Sequence, residues 1–167
     1  MYMLWNATLT RSIIPSTINT MDVCTVSADN FNEWLSMGLA LWPHSQKSKL
    51  EKEFRDNLKS SKHQQYLVQR NKDEYLGFIN LSLRHEYVQG ASSSPVGYVE
   101  GIYVKPEYRK QGVAKELIKQ AEMWAEKQGC KELGSDTELK NTVSQKFHKN
   151  LGFKKDDVIV HYIKKIT

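Results

Sequence analysis

Residues 101–114 read GIYVKPEYRKQGVA, and this stretch decides the fold that the sequence predicts. It begins as an apolar strand and leads through a basic loop into an amphipathic helix. The first turn of a helix carries unpaired N–H groups and the positive end of the dipole, so it attracts anions. Gly112 leaves room for phosphate oxygens beside the backbone. Residues 109–114 therefore predict a phosphate-binding loop, although R-x-x-G-x-A alone also fits a glycine early in an ordinary helix.

The flanking sequence predicts alternating helices and strands. Helices are expected over residues 29–42, 46–58, 107–128 and 141–150, and strands over 65–69, 75–87, 96–104, 131–135 and 158–163. One apolar stripe marks the helix after the loop: Val113, Leu117, Ile118, Ala121, Trp124 and Ala125. This order predicts an α/β (α+β) fold with one βαβ crossover around residues 96–135.

Composition narrows the class of protein. The chain has 167 residues, 40% of them hydrophobic, which suits one compact domain with a real core. The net charge of +5 fits an ordinary basic surface or an anionic ligand. Zinc-finger spacing and an aromatic-studded basic stripe are missing, so we expect no nucleic-acid partner. Because no run approaches about 18 apolar residues, we expect no membrane partner either.

The two cysteines, Cys24 and Cys130, have no metal-ligand spacing. We therefore expect reduced structural thiols, a cytoplasmic location and no metal. Residues 1–20 carry a single charge and no clear period, unlike the rest of the chain. We interpret them as a non-native or dispensable extension before a functional domain over residues 21–167.

The strand, loop and helix over 96–128, followed by Asn141 to Phe153 with its terminal Leu-Gly-Phe, resemble the GCN5-related N-acetyltransferase superfamily. The resemblance implies a mixed, twisted sheet split by an opening for the pantetheine arm of acetyl-CoA. It also implies which residues bind this co-substrate. They are Ile102, Tyr103 and Val104 for the pantetheine, Arg109, Lys110, Gln111, Gly112, Val113, Ala114 and Lys115 for the pyrophosphate, and Asn141.

A narrower resemblance is to the aminoglycoside 6′-N-acetyltransferases, which acetylate these antibiotics and confer resistance. It is carried by RHEYVQG over residues 84–90, SPVGYVEGIYVKPEYR over 94–109, Leu41-Trp42-Pro43 and Ser135-Asp136. The aminoglycoside contacts that it implies are Trp42, Tyr87, Glu100, Asp136 and Asp157, with Asp156 as the alternative to Asp157. Independently, carboxylates suit a polycationic sugar, and the two aromatic rings offer flat faces for sugars and cations.

Each of these side chains also has a purely structural interpretation. Trp42 fits a helix core, Tyr87 could end a strand, and Asp136 could cap a helix. Glu100 alternates with Ile102 and Val104, so simple strand alternation predicts that all three face the same side.

The predicted reaction needs a neutral amine, a stabilised oxyanion and a proton for the CoA thiolate. Glu100 is the first candidate to accept or position the amine proton, and Asp136 is the second. A backbone N–H of residues 102–104 would stabilise the oxyanion. His148 stands where the superfamily often has a tyrosine acid, and it fits either an acid or a packing residue.

Three other functions stay open at this stage. The fold also serves acetylation of other small amines or protein N-termini, and a non-catalytic CoA-binding module would share the loop. A basic nucleic-acid-binding protein is the third. The family often forms homodimers through its C-terminal strands, and the apolar edge at His161-Tyr162-Ile163 permits a homodimer here.

Overall fold

A computed structural model describes residues 21–166 of the chain, and the predicted extension over residues 1–20 lies outside them. The helices are α1 (Phe31–Leu41), α2 (Lys47–Lys59), α3 (Val113–Lys127) and α4 (Thr142–Asn150). The strands are β1 (Asp22–Thr25), β2 (His63–Asn71), β3 (Glu74–Arg84), β4 (Val96–Val104) and β5 (Leu133–Ser135).

These strands form one mixed sheet in the order β1-β2-β3-β4-β5. The first three pairings are antiparallel, and β4 pairs with β5 in parallel. The parallel pair is joined through α3, which is the crossover that the sequence predicts. The structure therefore confirms the α/β (α+β) fold class.

The sheet has an apolar core on each face. On one face α3 packs its predicted stripe, every member of which is buried, against side chains such as Leu76 and Ile79. On the other face α1 and α2 bury Trp34 and Phe54, whose rings stack at 3.8 Å. Trp34 also donates its indole N–H to Asn80 Oδ1 at 2.9 Å, which pairs a buried polar group of the sheet.

One predicted helix begins later than expected, one predicted strand is absent, and one strand was missed. The predicted helix over 107–128 is a 3-10 turn (Pro106–Tyr108), a loop and then α3, because Lys110 and Gly112 adopt positive φ angles of 62° and 90° that interrupt a helix. The predicted strand over 158–163 does not form, because the segment pairs with no strand in the described part of the chain. β1 is a short edge strand that gave no clear periodic signal.

Candidate acetyl-transfer site

A β-bulge on β4 sets the direction of the Glu100 side chain. Val99 pairs with Leu81 of β3 and Gly101 pairs with Asn80, so Glu100 is an extra residue between them. Ile102 and Val104 pack with Val99 on the α3 face. Glu100 contacts Ser82 and Arg84, which alternate with the α3-facing residues of β3. Simple alternation was therefore wrong about this strand, because the bulge moves Ile102 and Val104 to the other face.

Beside the bulge, the sheet opens. The pairing of β4 with β5 covers three residues and ends where Val99 meets Ser135. Residues 100–104 pair only with β3 within the described range 21–166. Their other edge offers backbone N–H and C=O groups to an extended ligand, which could bind as an additional strand. The predicted pantetheine residues Ile102, Tyr103 and Val104 all lie along this edge.

Glu100 is held by two neighbours on β3. The Ser82 hydroxyl donates to Oε1, and the Arg84 guanidinium donates to the same oxygen at 2.7 and 3.2 Å. The side chains of Arg84 and Glu100 are 37% and 36% exposed, so water screens much of the attraction between them. The Arg84 guanidinium also lies 3.3 Å from the centre of the Tyr98 ring. These contacts fix the carboxylate at the start of the opening.

Asp136 belongs to the same cluster through Tyr98. Burial raises the pKa of Tyr98 to about 12, and the hydrogen bond to Asp136 adds to this effect. The phenol therefore stays protonated at neutral pH, beside the Asp136 carboxylate. Glu100 on β4 and Asp136, directly after β5, thus both lie near Tyr98 and Arg84.

His148 meets Ser135 at the point where β4 and β5 separate. Its Nδ1 lies 2.7 Å from the carbonyl oxygen of Ser144, which can only accept, so Nδ1 carries a hydrogen. In the neutral ring Nε2 then accepts from the Ser135 hydroxyl at 2.9 Å. The rings of Phe147 and Phe153 contact the imidazole edge to face. In this position His148 fits both roles that the sequence predicts for it, a general acid and a packing residue.

The predicted phosphate loop has open space at its glycine. A side chain at Gly112 would meet no atom within 4 Å, and φ there is 90°. The first helical hydrogen bond of α3 runs from Glu116 N–H to Gly112 O. The amides of Val113, Ala114 and Lys115 come before it and therefore have no partner within the helix. Arg109 is held against the preceding strand, because its Nε donates to the Val104 carbonyl at 3.1 Å.

A hydrogen-bond network that the sequence did not indicate joins this loop to strands β2 and β3. Arg70 donates to Gln111 Oε1 and to Glu74, both at 3.3 Å, and its guanidinium lies 5.2 Å from the Tyr108 ring centre. The Tyr108 hydroxyl donates to Glu74 at 2.8 Å. Nothing in the local sequence pattern links these residues, which come together only in the folded sheet.

Asn141 caps α4, since its Oδ1 accepts from Ser144 N–H at 3.0 Å. Its capping role leaves the amide Nδ2 available for another partner. The contact between Asn141 and the co-substrate stays a prediction.

Trp42 lies at the boundary between core and site. Its ring packs against Phe54 and Phe78, with centres 6.2 Å away in both cases. It also lies directly against Gly101, where a methyl group would come within 2.6 Å of the indole. The same ring lines a cavity of about 380 Å³ that reaches Glu100. Trp42 thus packs into the core with one part of its ring and lines the cavity with another.

Tyr87 and the C-terminal segment approach each other at the outer end of the site. Tyr87 is 83% exposed and donates its hydroxyl to Gln89 Oε1 at 2.5 Å. Gln89 in turn donates to Asp156 Oδ2 at 3.2 Å. Within residues 21–166 this link involves Asp156, and Asp157 makes no hydrogen bond or ion pair. Of the two alternatives, the structure therefore brings Asp156 to the Tyr87 loop.

Neither a metal-binding cluster nor a membrane-spanning helix occurs in the described part of the chain. Residues 21–166 contain no group of three or more histidine, cysteine, aspartate or glutamate side chains arranged to bind a metal ion. Within the same range, every helix is too short or too polar to span a bilayer.

An open sheet edge beside a glycine-containing loop at the start of a helix is the arrangement that the resemblance to the GCN5-related N-acetyltransferases implies. The family model described as "Acetyltransferase (GNAT) family" matches residues 29–153. The chain therefore belongs to this family, as the sequence predicts.

Relatives confirm the narrower prediction as well. The aminoglycoside N(6′)-acetyltransferase type 1 of Serratia marcescens is 40% identical over 136 residues, which cover 81% of this chain and 93% of that protein. The enzyme of the same name from Acinetobacter haemolyticus is 37% identical over 87% of this chain and 99% of its own length. Within the acetyltransferase family, the chain falls in the aminoglycoside N(6′)-acetyltransferase group.

Solved structures agree with the sequence comparison. AAC(6′)-Iy in complex with the bisubstrate analogue CoA-S-monomethyl-acetylneamine superposes with a TM-score of 0.83 at 33% identity, covering 88% of this chain and 99% of that one. The apo enzyme AAC(6′)-IG from Acinetobacter haemolyticus gives a TM-score of 0.84 at 35% identity, covering 87% and 99%.

Proposed function

We propose that this chain transfers the acetyl group of acetyl-CoA to the 6′-amine of aminoglycosides and so inactivates them as antibiotics. The observation that carries the proposal is the position of Glu100, a carboxylate on the bulge where the sheet opens. A carboxylate at the start of a thioester slot is suited to binding and activating a cationic amine. The group to which the chain's relatives belong supports the same substrate class.

Acetyl-CoA fits the open edge and the loop. Its pyrophosphate would accept hydrogen bonds from the amides at the start of α3, where Gly112 leaves the backbone uncovered. Its pantetheine arm would extend along Ile102, Tyr103 and Val104. Lys110 and Lys115 add positive charge at the mouth of the loop, whereas the bond of Arg109 to Val104 suggests a supporting role for that side chain.

The acceptor is a polycation, and the chain itself carries a net charge of +5, so binding must rest on local carboxylates. Glu100 and Asp136 supply two of them near the opening. At the outer end, Tyr87 provides an exposed ring, and Asp156 is better supported there than Asp157 by its contact with Gln89. Trp42 offers the edge of its indole on the inner side.

The reacting amine must lose a proton before it attacks. An amine with a pKa near 10.4 costs about 4–5 kcal/mol to neutralise at pH 7, and a sugar amine costs less. We assign the positioning and acceptance of this proton to Glu100 through water, with Asp136 as second candidate. One backbone N–H of residues 102–104 would stabilise the oxyanion of the tetrahedral intermediate.

The thiolate that leaves needs a proton, and His148 is the candidate that we assign to supply it. Its Nε2 accepts from Ser135 in the neutral ring, so Nε2 must first gain a proton before it can act as an acid. The pair lies where β4 and β5 part, at the end of the proposed thioester slot. The same contact would let Ser135 pass the proton between the imidazole and the thiolate.

The function is tested by measuring CoA release with kanamycin as acceptor and by mass and NMR analysis of the product. We expect one acetyl group on the 6′-nitrogen and no turnover with kanamycin already acetylated there. In Glu100→Gln we expect turnover to fall by roughly 10²-fold, because a positioned base contributes about 10²–10⁴-fold. Transfer at the wild-type rate in this variant would contradict the assignment of Glu100.

We further propose a homodimer formed through the C-terminal segment over residues 158–166. Its apolar side chains Val158, Ile159, Val160, Tyr162, Ile163 and Ile166 are 51–96% exposed. Such a contiguous apolar segment is typical of an interface. Light scattering should show a dimer for the wild-type chain and a monomer for Ile163→Asp, with Lys164→Asp as the control that keeps the dimer. A wild-type monomer would refute the proposal.

We assign the reaction to the cytoplasm, where acetyl-CoA is available and where Cys24 and Cys130 would remain as the free thiols that the structure contains.

A further inference from the structure

The cavity behind Glu100 is larger than the reacting amine requires. It holds about 380 Å³ between α2 and strands β2–β4, within the range of about 300–1,000 Å³ typical of small-ligand sites. Its walls are mostly polar: Trp42, Ser45, Leu50, Glu53, Asn57, His63, Gln65, Asn80 and Glu100. The cavity therefore contains two carboxylates, one from β4 and one from α2.

Glu53 differs from the other acidic residues of α2. Glu51 pairs with Arg55 at 2.7 Å and Asp56 pairs with Lys52 at 2.6 Å, both across one helical turn. Glu53 makes no ion pair or side-chain hydrogen bond with any residue in the range 21–166. It is the acidic residue of this helix that lines the cavity, where its charge is available to a cation.

Two buried amides on the floor of the cavity also have unused hydrogen-bonding groups. Gln65 is 4% exposed, and its side-chain amide bonds to no other group in the described part of the chain. Asn80 is 5% exposed and accepts from Trp34 through Oδ1, while its Nδ2 makes no bond there. Buried amides are normally paired, so groups that line a cavity in this way are suited to a polar ligand.

We infer that this cavity is the subsite for the amino-sugar ring that carries the acetylated amine, and that Glu53 binds a second ammonium group on that ring. The amides of Gln65 and Asn80 would bond the hydroxyls of the ring, and Trp42 would cover one side of it. The inference rests on the proposed function, because it assumes that the reacting amine lies beside Glu100. It adds a specificity-determining residue, since only acceptors with a second amine on this ring would use Glu53.

Kanamycin A and kanamycin B provide the test, because they carry a hydroxyl and an amine, respectively, at the 2′ position of the ring. The variants are Glu53→Gln and, as a matched control, Glu51→Gln, which removes the same charge from the same helix outside the cavity. We expect Glu53→Gln to raise KM for kanamycin B by about tenfold and to leave KM for kanamycin A within twofold. Glu51→Gln should leave KM and kcat for both kanamycins unchanged.

Equal KM changes for the two kanamycins in Glu53→Gln, or equal behaviour of the two variants, would overturn the inference. If the wild-type enzyme acetylates neither kanamycin, the proposed function fails instead. Calorimetric titration of kanamycin B into wild type and Glu53→Gln then decides the subsite: weaker binding to the variant supports it, and identical binding overturns it.

Discussion

Replacing Gly101 with alanine should disable the acceptor site more than it destabilises the fold. The new Cβ would lie 2.6 Å from both Cη2 and Cζ2 of Trp42, and 3.1 Å from Leu41 Cδ2. Carbon atoms in contact normally lie about 3.5–4.0 Å apart, so the indole must move by roughly 1 Å. Phe54 and Phe78 hold two sides of the ring, and the cavity is the side with room.

The expected magnitudes follow from this displacement. Overpacking of this kind typically costs about 1–3 kcal/mol of unfolding free energy, which the partly open side of Trp42 should reduce towards the lower value. A displacement of about 1 Å at a substrate-binding residue can cost about 10²-fold in activity. We therefore expect kcat/KM for kanamycin to fall by 10- to 100-fold, with a loss of only a few degrees in Tm.

Gly97→Ala is the matched control on the same strand. Its Cβ would lie 2.9 Å from Ala125 Cβ, in the core on the α3 face and away from the cavity. Stability should therefore fall in both variants, and acceptor kinetics only in Gly101→Ala. Steady-state kinetics with kanamycin and thermal unfolding followed by circular dichroism measure the two effects. If the two variants lose the same fraction of kcat/KM, the role given to Trp42 is refuted.

Three further predictions concern the loops and the pH dependence. Gly112→Ala should raise KM for acetyl-CoA and leave KM for kanamycin unchanged, because an alanine at φ 90° is strained by about 1–3 kcal/mol; equal changes in both constants would contradict it. Hydrogen bonds from residues 93 and 92 hold the pKa of Glu132 below its usual value. The stability that the ionised side chain contributes is therefore present above the pKa of the unfolded state and is lost as pH falls through the pKa of the folded state. The protection factors of the loop amides at residues 92–93 should therefore fall in wild type as the pH drops through the lowered pKa of Glu132, and should already be low at neutral pH in Glu132→Gln; high protection in the variant would rule this out. The pKa of Tyr98, raised to about 12, should make stability fall as pH rises from about 10 towards 12. Tyr98→Phe should therefore weaken this dependence in alkaline unfolding curves, and an unchanged dependence in the variant would contradict the prediction.

The helix after the phosphate loop shows how far sequence reasoning reaches. Its apolar stripe has the period of an α-helix, and every predicted member is buried against the sheet. Strand β4 was likewise predicted with the bounds that the structure gives, since its apolar residues are bracketed by Pro95 and Pro106. Local periodicity and proline positions decide such elements, because they depend on residues that are near one another in the chain.

The face of the sheet to which the Glu100 side chain points could not be predicted from local periodicity. A bulge is defined by two strands, and nothing within residues 96–104 indicates that β3 pairs Leu81 with Val99 and Asn80 with Gly101. The partners of Glu100 are also far from it in the sequence, since Ser82 and Arg84 precede it by 18 and 16 positions. The strand predicted over residues 158–163 is wrong for a related reason, because an alternating apolar segment forms a strand only when it pairs with another strand.

By itself, the sequence determined the fold class, the strand, loop and helix over residues 96–127 and the family of this protein, because each is encoded in contiguous motifs with local physical causes. The tertiary structure alone decided which side of the sheet carries Glu100, how Ser82 and Arg84 hold its carboxylate, and which carboxylate of α2 lines the cavity beside it. Those properties depend on strand register and on contacts between distant residues, which no local pattern specifies.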